Sequence, residues 1–114
     1  MRGIHVFGEL SGCDSSTLID IDSVLRRVRE IIDSAGLSRV SEAMHVFPNG
    51  GYTFVICLAE SHLAVHTWVD ERLVTLDVFM CNVTKDHSAD AQRVFDEVSV
   101  VFHPEHRHVQ TVER

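Results

Sequence analysis

The segment YTFVICLAESHLAVHTWVDERLVTLDVF, residues 52–79, carries three runs of β-forming residues. The runs are Tyr52–Ala59, Leu63–Trp68 and Leu73–Phe79, and aliphatic, β-branched and aromatic side chains dominate each of them. Such a composition predicts three β-strands. Because only short turns join the runs, we predict that consecutive strands pair as antiparallel neighbours in one sheet.

The sequence on either side of this segment predicts three further strands, at Ile4–Leu10, Val40–Phe47 and His106–Val112. The predicted order of elements is β-α-β-β-β-α-β. This order predicts an α+β fold, a two-layer sandwich in which a mostly antiparallel sheet has two helices on one face. The other face of the sheet then needs cover, which dimerisation would supply.

The two helices are predicted from spacing and capping residues. Apolar residues recur at helical spacing between Val24 and Ala35. Asp20 or Asp22 is predicted to cap this helix, and Gly36 is predicted to end it. Ser88 is predicted to cap the second helix.

Length and composition exclude several classes of protein. The 114 residues fit a single domain spanning 1–114, and the formal net charge of −7 argues against nucleic-acid binding. The odd count of three cysteines, without a secretory signal, argues against a disulfide framework and for a reducing compartment. No run approaches the roughly 18 apolar residues of a membrane span. We therefore expect a soluble, cytoplasmic protein with no membrane partner.

The segment Leu58–Trp68 is mostly apolar but also contains a carboxylate, a hydroxyl and two imidazoles. On a strand, Glu60, His62, His66 and Trp68 share one face. That face is either half of a functional site or an ordinary solvent-exposed surface, and the pattern leaves both interpretations open. His62 and His66 lack a cysteine at ligand spacing and no His-Glu-x-x-His motif occurs, so no metal site is predicted.

Two cysteines lie in or at the end of predicted strands. Cys57 lies within an apolar run and is predicted to be a small core residue. Cys81 directly follows the Asp77–Met80 stretch, where a cysteine is more often a core residue than a reactive thiol.

The string ESHLAVHTW, residues 60–68, resembles the processing-site motif of the prokaryotic S-adenosylmethionine decarboxylases. The string DVFMC, residues 77–81, resembles their second motif at the expected distance. Gly12-Cys13-Asp14 and the glycine-rich turn before Tyr52 also fit this family. The resemblance covers nearly the whole chain, apart from a shorter C-terminal tail.

The resemblance implies that the chain cleaves itself between Glu60 and Ser61. Ser61 would attack the Glu60 carbonyl, and β-elimination of the resulting ester would produce a β chain, 1–60, and an α chain, 61–114. His66 corresponds to the family's processing histidine, which takes the α-proton. Thr53 lies where the family has a serine that assists processing. The product is a pyruvoyl group derived from Ser61, the expected cofactor.

The resemblance also implies the catalytic reaction. The pyruvoyl ketone forms a Schiff base with the substrate amine and accepts the electrons left by decarboxylation. Cys81 corresponds to the family's proton donor, and an ordinary thiol pKa of about 8.5 suits this role. The expected assembly is a homodimer of αβ protomers with two sites at the interface.

Substrate contacts are implied at four positions. Phe47 and Trp68 lie where the family stacks adenine, although a core role for Phe47 and an anchoring role for Trp68 remain alternatives. Glu9 and Asp70 are candidate acids for the amine or ribose of the substrate, or else solvated surface acids.

The chain departs from the family pattern at two places. Val69-Asp70 replaces Pro-Glu, which removes the fixed φ of proline and shortens the acid. Met80 and Asn82 replace the threonine and glycine on either side of the cysteine, and Met80 is expected to add bulk beside the proton donor. These changes are expected to fall in the substrate pocket.

Three functions remain open at this stage. The first is decarboxylation of S-adenosylmethionine, which gives the aminopropyl donor for spermidine synthesis. The second keeps the pyruvoyl chemistry but acts on a basic amino acid, arginine or ornithine. The third is a non-catalytic paralogue that binds a partner subunit or a polyamine.

Overall fold

The computed structural model describes residues 2–83 and 85–114 and contains six strands, two α-helices and one 3₁₀ helix in that part of the chain. The elements are β1 Gly3–Ser11, the 3₁₀ helix Ser15–Ile19, α1 Ile21–Ser34, β2 Arg39–Val46, β3 Tyr52–Leu58, β4 Ser61–Trp68, β5 Leu73–Cys81, α2 Ser88–Val101 and β6 His106–Glu113. The predicted order of strands and α-helices is confirmed. The 3₁₀ helix is an addition, and it lies between β1 and α1.

The strands form one antiparallel sheet in the order β2-β3-β4-β5-β1-β6. The three strands of the 52–79 segment are neighbours, as their short turns predict. Helix α2 packs on β1 and β5, and α1 packs against α2. The two-layer α+β sandwich is therefore confirmed.

The core lies between the helices and one face of the sheet, because side chains alternate along each strand. Every second residue from Tyr52 to Leu58 and from Val74 to Met80 is buried on this face. Helix α1 adds a buried stripe at helical spacing that runs from Val24 to Ile32.

The helix termini agree with the sequence in part. The Asp20 carboxylate accepts a hydrogen bond from the Ser23 N–H at 3.2 Å, and Gly36 follows α1 with φ +77°. The predicted cap of α2 is wrong, because Ser88 is the first helical residue and His87 is the N-cap. The Asp86 carboxylate accepts the Ser88 N–H at 2.8 Å, so an acid two residues earlier satisfies that donor.

We call the second face of the sheet, on the side away from the helices, the open face. It carries the residues between the buried ones, which are partly exposed. Cys57 is exposed there beside Thr53 and Val55, so its predicted core position is wrong. The error arises because β3 is apolar on both faces, so its composition does not reveal which residues point to the core.

Within residues 2–83 and 85–114, no helix has both the length and the apolar character needed to cross a bilayer.

Candidate active site

The peptide between Glu60 and Ser61 lies in the tight turn that joins β3 to β4. The Ala59 N–H donates to the Ser38 carbonyl at 2.9 Å, and the Ser38 N–H donates to Glu60 Oε1 at 3.2 Å. These contacts tie the turn to the segment before β2. Ser61 has φ +152°, a backbone conformation that side-chain-bearing residues rarely adopt. The predicted cleavage position is therefore a point of backbone strain.

Cys81 lies directly beside this peptide, at the end of β5. Its backbone N–H donates to the Glu60 carbonyl oxygen at 2.8 Å, and Ser61 pairs with Met80 in the β4–β5 ladder. The Cys81 side chain is partly exposed. The structure thus places the backbones of Ser61 and Cys81, which the two sequence motifs contain, next to each other. We call Glu60, Ser61, His62 and Cys81 the cleavage cluster.

Met80 does not take the position expected from the sequence. Alternation along β5 directs its side chain to the helix-covered face, where it is fully buried in the core. It therefore adds no bulk to the side of the sheet on which Cys81 lies. Asn82 anchors the end of the strand, because its N–H donates to the Arg2 carbonyl at 2.7 Å and its Oδ1 accepts the His87 N–H at 2.8 Å.

His62 is a neighbour of Ser61 that the sequence analysis did not assign to the site. Its Nδ1 lies 3.4 Å from Ser61 Oγ. The signal was present in the sequence, because an imidazole directly follows the predicted nucleophile. His62 provides a basic group within reach of the hydroxyl.

The second group of predicted residues lies at the other end of the same strands. Thr53 Oγ1 and His66 Nδ1 are 2.9 Å apart and pair across β3 and β4. His66 is five residues beyond Ser61 on β4, which places them about 16 Å apart at about 3.3 Å per residue of extended strand. One copy of the chain therefore does not bring His66 to the cleavage cluster.

A cavity of about 560 Å³ opens next to Thr53 and His66. Its lining consists of Phe47, Pro48, Asn49, Thr53, His66, Thr67, Trp68, Val69, Asp70 and Glu71. Phe47 and Trp68 are 43% and 50% exposed, so neither is a core residue. We call this cavity the ring pocket. It contains three of the four predicted substrate contacts, and Glu71 is an acid that the sequence analysis did not assign.

Local contacts fix the walls of the ring pocket. Phe47 is held at the start of the β2–β3 turn, where its N–H donates to the Gly51 carbonyl at 2.7 Å. Thr67 is buried, and its hydroxyl donates to the Leu18 carbonyl at 3.0 Å while accepting the Tyr52 N–H at 2.9 Å. The end of β4 is therefore attached to the 3₁₀ helix, which leaves Trp68 at a fixed position.

Glu9 lies outside the lining of the ring pocket. It is exposed on the open face, where it pairs with Thr75 of β5, and Thr75 pairs in turn with His66. Glu9 and His66 thus lie in one row across the sheet, two strands apart.

Between the cleavage cluster and the ring pocket, the open face carries partly exposed aromatic and charged residues. His5 Nε2 lies 3.1 Å from Asp77 Oδ1, and the His5 ring stacks against Phe79 with 6.0 Å between centroids. The His62 ring lies 5.8 Å from Phe79 on the other side. Phe79 and Asp77 pair with His62 and Ala64 of β4, so these contacts lie on the part of the sheet between Ser61 and His66.

Cys13, by contrast, is unsuited to catalysis. It is fully buried, and burial raises the pKa of its thiol to about 11. Its Sγ donates to the Leu10 carbonyl at 3.3 Å.

In residues 2–83 and 85–114 there is no group of three or more histidine, cysteine or acidic side chains arranged to hold a metal ion.

Comparisons with known proteins agree with these motifs. A model of the S-adenosylmethionine decarboxylase family matches residues 4–114. The S-adenosylmethionine decarboxylase proenzyme of Pyrobaculum arsenaticum is 38% identical over 95 residues, which cover 82% of this chain and 73% of that protein. The proenzyme of the same name from Aquifex aeolicus is 29% identical over 112 residues, which cover 98% of this chain and 80% of that protein.

A solved structure is similar over almost the full chain. The crystal structure of the adenosylmethionine decarboxylase from Aquifex aeolicus matches with a TM-score of 0.89 and 27% sequence identity. The match covers 99% of this chain and 90% of that one.

Proposed function

The chain belongs to the S-adenosylmethionine decarboxylase family, and on that premise we propose that it is a proenzyme that cleaves itself and then decarboxylates S-adenosylmethionine. The product is the aminopropyl donor for spermidine synthesis. The relatives described above are named for S-adenosylmethionine, so neither a basic amino acid substrate nor a non-catalytic role is favoured.

The observation that carries the proposal is the environment of the Glu60–Ser61 peptide. Ser61 Oγ attacks the Glu60 carbonyl carbon, the C–N bond breaks, and an ester replaces the amide. The ester is the less stable of the two, so the step needs help from its surroundings. The strained backbone of Ser61 relaxes when the peptide breaks, and the Cys81 N–H, 2.8 Å from the carbonyl oxygen, stabilises the developing oxyanion.

β-Elimination completes the cleavage. A base removes the Ser61 α-proton, the Cβ–O bond breaks, and Glu60 leaves as a carboxylate. The remaining dehydroalanine takes up water and loses ammonia to give the pyruvoyl group. The fragments are 1–60 and 61–114.

His66 is the base, and a second copy of the chain supplies it. His66 is about 16 Å along the strand from Ser61 in its own copy, at about 3.3 Å per residue. Two copies related by a two-fold axis with their open faces in contact bring the Thr53–His66 pair of one copy to the cleavage cluster of the other. If the His66 Nδ1–H donates to Thr53 Oγ1, its Nε2 presents the lone pair that takes the proton.

The surroundings of Ser61 suit the group formed from it. The residue would begin β4 as the new N-terminus of 61–114, with Cys81 beside it. The pyruvoyl group supplies a ketone that accepts the electron pair released when carbon dioxide leaves. Cys81 Sγ holds the proton that is delivered to the substrate carbon.

The ring pocket supports the choice of substrate. Phe47 and Trp68 offer two exposed ring faces for an adenine base and a sulfonium cation. Asp70 and Glu71 add negative charge at the same opening.

The three free thiols Cys13, Cys57 and Cys81 suit the reducing environment of the cytoplasm.

Substitution of Cys81 by alanine is expected to separate cleavage from catalysis. Alanine retains the backbone N–H that contacts the Glu60 carbonyl, so cleavage proceeds. Loss of the thiol removes the proton donor, and we expect kcat to fall about 100-fold. Cys57→Ala, which removes the other exposed thiol, is the matched control and is expected to leave kcat unchanged. Normal turnover by Cys81→Ala would remove this thiol from the mechanism.

The proposal as a whole is tested by intact mass spectrometry and a carbon dioxide assay. We expect two masses, for 1–60 and for 61–114 with its N-terminal serine converted to pyruvoyl. We expect the purified protein to release carbon dioxide from S-adenosylmethionine but not from arginine or ornithine. A single uncut mass, or turnover of only a basic amino acid, would contradict it.

A further inference from the structure

The β4–β5 turn, residues 69–72, is attached to the loop after β1 by Arg72. The guanidinium donates from Nε to the Cys13 carbonyl at 2.9 Å and from Nη2 to the Gly12 carbonyl at 3.4 Å. The Cys13 N–H donates to the Arg72 carbonyl at 3.0 Å. The turn itself is closed by the Arg72 N–H, which donates to the Val69 carbonyl at 3.2 Å.

Arg72 adopts a backbone conformation that is unfavourable for its residue type. Its φ is +49°, in the left-handed region that glycine occupies most readily. A glycine would close the same turn without this strain. The arginine side chain makes two contacts to the loop after β1 that a glycine could not make.

The same turn carries the two acids of the ring pocket. Asp70 and Glu71 both line it, and they immediately precede Arg72. The guanidinium donates to the carbonyls of Gly12 and Cys13, so Arg72 is attached to the main chain of the loop after β1. Fixing the backbone at Arg72 limits how far the two preceding carboxylates move relative to Trp68.

We propose that Arg72 is a positioning residue, which anchors the β4–β5 turn to Gly12 and Cys13 and thereby holds Asp70 and Glu71 at the mouth of the ring pocket for a cationic nucleoside substrate. This inference rests on the proposed function, since S-adenosylmethionine supplies both the sulfonium cation and the ribose hydroxyls that carboxylates recognise. Arg72 acts through the two acids and does not line the pocket itself.

The charge of Arg72 and its anchoring contacts are expected to have opposite effects on the KM for S-adenosylmethionine, so a substitution can distinguish them. The Arg72 guanidinium has the same sign as the sulfonium, so its charge alone weakens binding of the substrate. If charge were its main influence, removal of the side chain would lower the KM. If anchoring dominates, removal raises the KM.

The experiment compares Arg72→Gly with the wild-type protein. Glycine relieves the strain of φ +49° and keeps both backbone hydrogen bonds, whereas its more flexible unfolded chain and the loss of the guanidinium contacts act in the opposite direction, so the thermal unfolding temperature is expected to change little. We expect normal self-cleavage, an unchanged kcat and a KM for S-adenosylmethionine that is about three- to tenfold higher, as the loss of about one net hydrogen bond between the displaced acids and the substrate implies. Arg72→Lys, which keeps the charge and one donor, is expected to have an intermediate KM.

Hydrogen exchange provides a second measurement that does not depend on activity. In Arg72→Gly the hydrogen bond from the Cys13 N–H to the carbonyl of residue 72 is expected to open more often, so the Cys13 amide exchanges faster while those of α1 stay as in the wild type. An unchanged exchange rate at the Cys13 amide would overturn the anchor, whatever the activity. If the wild type is active, an unchanged or lowered KM in Arg72→Gly would overturn the positioning role. Failure of the proposed function is distinct, because the wild type itself would then be uncut or inactive.

Discussion

Ser61→Ala is expected to remain a single uncut chain of 12.8 kDa with no detectable decarboxylase activity. Alanine has no hydroxyl to attack the Glu60 carbonyl, so neither the ester nor the pyruvoyl group forms. Because Ser61 is a small, partly exposed side chain whose hydroxyl makes only a long contact of 3.4 Å with His62 Nδ1, we expect the free energy of unfolding to change by less than about 0.5 kcal/mol.

Denaturing electrophoresis, intact mass and circular dichroism test this result together. Ser15→Ala, which removes an exposed hydroxyl remote from the turn, is the matched control and is expected to cleave normally. Fragments of the wild-type masses in Ser61→Ala would mean that another bond or another nucleophile is used, and the assignment of the cleavage site would be wrong.

Co-expression of Ser61→Ala and His66→Ala chains is expected to restore cleavage that neither variant has alone. In a mixed dimer, one site combines an intact Ser61 from the His66→Ala chain with an intact His66 from the Ser61→Ala chain. The other site lacks both. Random pairing makes half of the dimers mixed, so about one quarter of all sites are functional.

Different affinity tags on the two chains allow the mixed dimers to be purified and analysed. Only the His66→Ala chain is expected to be cut, since it alone carries the serine. His66→Ala by itself is expected to cleave at least about 100-fold more slowly, as loss of a general base implies. If purified mixed dimers stay uncut, His66 does not act across the interface, and the shared site would be refuted.

Much of the fold was predictable because periodicity and turn residues determine it locally. The three strands of residues 52–79 and the helix capped by Asp20 form where the sequence predicts them. The faces of the strands were less predictable. The β3 strand is apolar on both faces, so Cys57 gave no sign of its exposure, whereas Met80 follows from alternation once Cys81 is assigned to the open face.

The sequence identified several residues of the candidate site, but it did not show how all of them lie relative to one another. Phe47, Trp68 and Asp70 were identified from the resemblance to the family, and they line one pocket because β2 and β4, on either side of β3, end at the same edge of the sheet. The separation of Ser61 from His66 follows from the strand assignment itself, through the rise per residue. The strained φ of Ser61 and the contacts of Arg72 depend on tertiary packing, which no local pattern encodes.

The strand order also determines how the proposed cleavage would affect the folded molecule. Residues 1–60 contribute β1, β2 and β3, and residues 61–114 contribute β4, β5 and β6. In the sheet, β3 pairs with β4, and β1 is inserted between β5 and β6. Strands from the two segments therefore pair with each other at three places in the sheet. Three ladders of main-chain hydrogen bonds, β3–β4, β5–β1 and β1–β6, join residues 1–60 to residues 61–114. The proposed cut after Glu60 would therefore break the polypeptide without separating the strands, and we expect the two fragments to remain together until the whole sheet unfolds.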